Sequence, residues 1–330
     1  MENEQVLERG RQVLLDYTFQ EGQRIAGEVN QRRREEAATI GERHLITISG
    51  KDSACAALIQ TARRPDLPYE FLFCDTGSEL PETYAWLDEV EQKTGWTIQR
   101  IGKNLEELIK HTDLIPNHNR RFCTEKAKIR PMNKFYGKGR TFVYYGLRAD
   151  ENRVGVRPSE TSTPVYPLVE AGIDIRGVWI ILNRQGLLPP SFFWPSLYYK
   201  VCELLGSNWG LIDELEEWEQ RALFAGRTRS NCYFCFYQRL YEYVWLSEVH
   251  PSLFERACRI ERTTGRLQQT PFTWSTAGHL DNIVRTRRNE LLLKRAKEVV
   301  ELIRKRLNKG LFEHQDTEIA FTSCGLLCGK

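Results

Sequence analysis

The chain has 330 residues, of which 28% are charged, and a formal net charge of +3. That length suits one large domain or two modest ones, and the mean hydropathy of −0.49 excludes a protein that is mostly membrane-embedded. No apolar run reaches the roughly 18 residues of a membrane helix, and the opening MENEQVLERGRQ lacks the apolar centre of a secretory signal. A cytoplasmic protein with no membrane partner is expected. Nine cysteines at irregular spacing argue for thiols or for metal or cluster ligands in a reducing compartment, rather than for a disulfide scaffold.

Residues 3–39 are rich in Glu, Gln and Arg, with sparse apolar positions such as Val6, Val13, Leu14, Tyr17, Ile25 and Val29. One or two surface helices are expected there. An α/β rhythm follows. His44–Ser49, Tyr69–Cys74, Thr97–Ile101 and Thr141–Leu147 read as strands, and Val165–Val169 as a fifth. Asp52–Arg63 and Glu82–Thr94 read as helices, the second with Pro81 at its start, where proline is tolerated. Such alternation predicts a five-stranded, mostly parallel sheet with flanking helices.

After about residue 172 the strand signal fades. Helices are expected at 173–185, 195–205, 211–225, 237–249 and 251–264, and a long one at 280–308. In the last, Leu292, Ala296, Val299, Ile303 and Leu307 fall three or four apart, on one face. Charge concentrates in two zones. Residues 120–153 carry ten Lys/Arg against three acids, and residues 285–309 carry another ten against three. Two positive zones on an acidic body suggest polyanion binding; solvated helix faces are the plainer reading of each.

The most informative stretch is Ile46-Thr47-Ile48-Ser49-Gly50-Lys51-Asp52-Ser53, where a strand runs into a tight turn and a helix begins at once. Gly50 permits close backbone approach, Ser49 and Ser53 offer hydroxyls, and the helix amides favour phosphate. Lys51 adds a mobile positive charge. An acid follows the lysine, so this is not the Gly-Lys-Ser/Thr loop of common nucleoside triphosphatases.

Ser49-Gly50-Lys51-Asp52-Ser53 resembles the Ser-Gly-Gly-Lys-Asp-Ser signature of the PP-loop ATP pyrophosphatases, one glycine short, with Ile48 where the family has serine. Cys74-Asp75-Thr76-Gly77 followed by Pro81-Glu82-Thr83 resembles the phosphoadenylylsulfate (PAPS) reductase branch of that family. So do Arg121-Phe122-Cys123-Thr124 with Lys128-Ile129-Arg130-Pro131, Gly146-Leu147-Arg148-Ala149-Asp150-Glu151, and Tyr166-Pro167-Leu168. The resemblance implies the adenine nucleotide α-hydrolase fold, with ATP at the carboxyl ends of the strands. The chain is then expected to divide into an N-terminal helical segment over 1–42, the pyrophosphatase domain over 43–225, and a helical region over 226–330 with a CxxC and a basic helix. Nucleotide contacts are expected from Ser49, Gly50, Lys51, Asp52, Ser53, Asp75, Thr76, Gly77, Arg121, Lys128, Gly146 and Arg148. Asp52 and Asp150 are candidate holders of Mg²⁺, and Lys51, Asp52, Arg148 and Cys123 are the catalytic candidates. A helix cap or a surface ion pair is the competing reading of each acid.

Cys232 and Cys235 form a close pair, and the tail adds Cys324 and Cys328. Together they make a candidate quartet for a 4Fe-4S cluster or zinc, with Cys123 and Cys258 as substitutes. Reductase relatives place a cluster on a Cys-Cys pair plus a later CxxC, and here Thr124 stands where the second cysteine would be. An unligated Cys123 beside Arg120, Arg121 and Lys126 is expected to have a lowered pKa and to suit sulfur relay. Cys55, Cys74 and Cys202 read as ordinary core thiols.

Within the branch, these features resemble the ATP pyrophosphatases of bacterial DNA phosphorothioation (the Dnd and Ssp systems). That implies a DNA backbone phosphate as acceptor, a cysteine desulfurase as sulfur donor, and further phosphorothioation subunits as partners. DNA contacts are expected from Arg285, Arg287, Arg288, Lys294 and Arg295. The alternatives are a sulfonucleotide reductase, a tRNA thiolase, or a non-catalytic nucleotide-sensing DNA-binding subunit. The reductase tail Glu-Cys-Gly-Ile/Leu-His is incomplete, since this chain has Ser323-Cys324-Gly325-Leu326-Leu327.

Overall fold

A computed structural model describes residues 42–136, 140–151, 155, 162–265 and 272–309. The N-terminal segment expected over 1–42, apart from Glu42, and the tail cysteines Cys324 and Cys328 lie outside the described residues.

The α/β half contains five strands: β1 (Glu42–Thr47), β2 (Tyr69–Cys74), β3 (Ile98–Ile101), β4 (Arg140–Tyr144) and β5 (Ser162–Val165). They form one sheet in the order β3-β2-β1-β4-β5, and every adjacent pair is parallel. α1 (Lys51–Arg63), α2 (Pro81–Thr94), α3 (Leu105–Thr112), a π-helical turn (Cys123–Ile129) and α4 (Arg130–Tyr136) connect them. The fifth strand ends at Val165, earlier than expected, because Pro167 opens the short α5 (Pro167–Glu170).

Strand periodicity decides which side chains meet which layer. Ile46, Phe71, Phe73 and Tyr144 are buried on one face, together with Ala56, Ala57 and Ile59 of α1, Trp86 and Val90 of α2, and Val178 and Leu182 of α6 (Ile175–Arg184). Leu45, Leu72 and Val143 point the other way, onto Tyr136 of α4. Continuous apolar strands follow from being covered on both faces.

The remaining helices make their own core. These are α7 (Pro195–Leu205), α8 (Glu217–Leu223), α9 (Leu240–Val249), α10 (Pro251–Thr263) and α11 (Leu280–Lys309), with a 3₁₀ turn at Gly206–Ile212. Trp194, Trp218, Phe224, Tyr243, Trp245, Ala296, Val299 and Ile303 lie in it, and so do Leu105 and Ile109 of α3. The expected helix over 211–225 divides into the 3₁₀ turn and α8.

β2 lies on one side of β1 and β4 on the other, so the chain reverses direction across the sheet at the carboxyl end of β1. Open parallel sheets bind their ligands in the crevice outside such a reversal. The β1–α1 turn sits there.

Candidate nucleotide site

The turn is built by Ser53. Its Oγ accepts the backbone N–H of Ser49 at 2.8 Å and of Gly50 at 3.1 Å, and donates to Gly50 O at 2.9 Å. The first intrahelical bond runs from Ala54 N–H to Gly50 O, which leaves the amides of Lys51, Asp52 and Ser53 without intrahelical partners, as at any helix start. Glycine is required opposite them. A Cβ on Gly146 would meet Ser53 N at 2.5 Å and Asp52 C at 2.6 Å, so the end of β4 lies against the helix start.

Five charged side chains lock around this junction. Asp52 Oδ2 accepts from Lys51 Nζ at 3.1 Å and from Arg148 Nη1 at 3.1 Å. Arg148, 3% exposed, also meets Asp150 at 2.9 Å and Glu151 at 2.8 Å. Burial opposes ionisation of Asp52, but Lys51 and Arg148 outweigh it and hold the carboxyl below its usual value. Burial likewise opposes the charge on Arg148, and Asp52, Asp150 and Glu151 reverse that and push it up. Lys51 is lowered, chiefly by burial. The expectation of a mobile lysine is therefore corrected: Lys51 is 8% exposed and tied to its neighbour. Asp150 is taken up by Arg148, whereas Asp52 Oδ1 is buried without a hydrogen-bond partner. That orphaned oxygen fits a cation ligand.

Asp75 follows β2. Its Oδ1 accepts Gly77 N–H at 2.7 Å and Tyr84 Oη–H at 2.8 Å, which shapes the turn in which Gly77 adopts a φ of 65°. Thr76 is buried, with its Oγ1 3.2 Å from both Glu79 Oε1 and Cys232 Sγ. The CxxC therefore reaches the second strand end of the same sheet edge.

Residues 43–166 match the family model described as the phosphoadenosine phosphosulfate reductase domain. Over that stretch the chain resembles PAPS reductases. It is similar to an uncharacterised protein of Methanocaldococcus jannaschii, 33% identical over 43% of this chain and 31% of that protein. It is also similar to the phosphoadenosine 5'-phosphosulfate reductase of Cronobacter sakazakii, 27% identical over 44% of this chain and 63% of that one. Against these curated relatives, then, the aligned region spans from about a third to under two thirds of their length. A crystal structure of PAPS reductase from Candida auris in a phosphate complex aligns at 18% identity and a TM-score of 0.35, over 55% of this chain and 85% of that one.

Within the matched stretch, Arg121 lies over the Tyr237 ring at 5.2 Å. Lys128 is half-buried among Glu79, Cys232, Cys74 and Cys235; burial lowers its pKa, and these groups more than restore it. The structure thus gathers Cys74 and Cys123 toward the CxxC, and Cys74 is not simply a core thiol. Cys123 departs from expectation. Burial first, then the nearby Cys235, push its thiol up, against the smaller downward pull of Thr124 and Lys128. Cys258 is buried in α10, near Glu261 and Asp281, with its pKa pushed up to about 12. Among the described residues no group of three or more His, Cys, Asp or Glu is placed to hold a metal ion. The cluster or zinc site expected on Cys232, Cys235, Cys324 and Cys328 draws two of its four thiols from outside the described residues.

The basic helix α11 divides. Arg295 is 1% exposed, stacked over Tyr241 at 5.4 Å and bonded to Glu298 at 3.3 Å, so its expected DNA contact is corrected to a core role. Arg287 pairs with Glu290 at 2.7 Å, Arg288 with Glu248 at 2.8 Å, and Arg285 donates to Asn282 at 3.1 Å. Lys294 is exposed. Among the described residues, no helix is long and apolar enough to cross a membrane.

Sequence reasoning missed Glu79, Tyr84, Arg227 and Ser230. Only proximity in the chain marks the last two, which precede Cys232 by five and two positions.

Proposed function

We propose that the chain is a nucleotide enzyme of sulfur metabolism that cleaves ATP between its α and β phosphates and adenylylates an oxyanion acceptor for later sulfur replacement. The observation that carries this reading is the β1–α1 turn at the chain-reversal crevice, where α1 begins, with the Lys51–Asp52–Arg148 lock beside it. In it, the amides of Lys51, Asp52 and Ser53 donate to phosphate oxygens, and preset dipoles of this kind stabilise charge that grows on a departing pyrophosphate. Arg148 fixes the Asp52 carboxylate so that Oδ1 faces inward. Asp52 Oδ1 is the atom that would hold Mg²⁺, which supplies charge neutralisation on the phosphates when bound. Lys51, held against Asp52, adds a fixed positive charge beside the turn.

A DNA backbone phosphate is the first acceptor to test, with a cysteine desulfurase supplying sulfur and other phosphorothioation subunits assisting. The exposed Lys294 and the rim arginines of α11 are the proposed electrostatic track. The gathering of Cys74, Cys123, Cys232 and Cys235 near Lys128 favours sulfonucleotide reduction as the second reading. The experiment follows α-labelled ATP with DNA, tRNA or sulfate added separately, alongside sulfite release from adenylylsulfate or PAPS. Label passing to DNA, with pyrophosphate released, supports adenylylation. Sulfite without ATP cleavage replaces it with the reductase reading.

A further inference from the structure

The C-terminal region reaches the phosphate turn through the residues just before the CxxC. Arg227 is 1% exposed and spends its guanidinium inside this loop. Its Nε donates to Asn231 Oδ1 at 3.0 Å and Arg229 O at 3.3 Å, and its Nη2 donates to Asn231 O at 2.9 Å and Cys232 O at 2.6 Å. Glu242 holds the other flank, accepting from Thr228 N–H at 3.1 Å and Thr228 Oγ1–H at 3.2 Å. A loop clamped at both ends presents whatever stands between the clamps in one place.

Ser230 stands between them. A Cβ on Gly50 would lie 3.8 Å from Ser230 Oγ and 3.9 Å from Ser230 Cβ, so this side chain sits next to the turn. It is half-buried and forms no hydrogen bond among the described residues. Two more polar groups of the same loop, Arg227 Nη1 and Asn231 Nδ2, are buried with no hydrogen-bond partner. All three can donate, and only the serine can also accept. An unpartnered hydroxyl beside an anion-attracting helix start, on a loop that holds further unspent donors, matches a ligand made of acceptors.

We propose that Ser230 is a phosphate-binding residue of the nucleotide site, contributed by the C-terminal region, and that Arg227 positions it. This rests on reading the β1–α1 turn as that site. Ser230 Oγ donates to a phosphate oxygen on the side away from the helix amides. The same clamp holds Cys232 O, so phosphate and thiols are two residues apart on one braced segment.

The test uses the full chain and inorganic pyrophosphate as the probe, by titration calorimetry, with melting curves to show that each variant folds. Ser230→Ala is expected to weaken pyrophosphate binding about tenfold, the scale of one hydrogen bond to a charged group. Equal affinities for wild type and Ser230→Ala overturn the proposal. Failure of the wild type to bind pyrophosphate at all overturns both it and the nucleotide reading. Serine-dependent binding without cleavage of ATP sustains Ser230 and removes only the adenylylation reading. For Arg227, a double-mutant cycle separates positioning from bulk stability. Arg227→Lys is expected to weaken binding in the wild-type background and to add nothing in Ser230→Ala. Should Arg227→Lys not fold, Asn231→Ala breaks the same clamp and takes its place. Additive losses overturn the positioning role.

Discussion

Gly146→Ala tests the whole geometry of the site with one methyl group. Its Cβ would meet Ser53 N at 2.5 Å, Asp52 C at 2.6 Å and Ser53 Cα at 2.7 Å, where ordinary contact begins at 3.4 Å. All three are backbone atoms, so no rotamer relieves the clash, and β4 must part from the start of α1 by about 1 Å. Overpacking costs about 1–3 kcal/mol, and a purely backbone collision belongs at the upper end. At roughly 2–4 °C per kcal/mol, the midpoint of thermal unfolding should fall by about 6–12 °C. The same separation pulls Asp52 from Arg148, so pyrophosphate binding should weaken at temperatures where the variant is still folded. Gly50→Ala is the control. There a Cβ finds only Ser230, at 3.8 and 3.9 Å, and the backbone is extended with φ 172°, so the cost stays within about 1 kcal/mol, the difference between glycine and alanine before a helix. A Gly146→Ala protein that melts and binds like wild type would refute the close approach of β4 to the helix start.

Asp52→Asn should flatten the acid limb of the stability profile. The depressed pKa of Asp52 gives stability that is present above its unfolded value near 3.8 and lost as pH falls through the lower folded value; denaturant titrations between pH 2 and 5, chosen roughly to bracket that window, check the slope, and unchanged slopes count against the ion-pair lock. Alkylation of Cys123, followed by peptide mass, should be slow at neutral pH and accelerate only above the normal thiol range, because burial and Cys235 raise it. Fast labelling at neutral pH would restore the picture of an activated thiol. Arg295→Ala should destabilise the fold by about 2 kcal/mol, since it empties a buried site packed on Tyr241, whereas Lys294→Ala should leave the melting curve in place. If DNA is bound along α11, Lys294→Ala should instead reduce the salt dependence of its retention by close to one counterion; identical salt slopes reject that surface.

What the chain alone determined is the order of its parts. β-branched and aromatic runs at 44–49 and 69–74 had to become strands once helical stretches alternated with them, and glycine before Lys51 had to end one element and begin the next. The three-four spacing of Val299 and Ile303 fixed the inner face of α11, since a helix returns to the same side every 3.6 residues. Local periodicity carries this information because it arises within a turn or two of backbone.

Tertiary structure decided which charges are spent. Lys51 and Arg295 read alike as free cations in one dimension, yet one is held by Asp52 and the other lies on Tyr241. It decided the neighbourhood of the thiols as well, since Cys74 and Cys232 meet around Lys128 from segments more than 150 positions apart. Ser230 faces Gly50 for the same reason. Pairing, burial and dielectric belong to contacts across the fold, and no spacing along the chain encodes a partner that arrives from another layer.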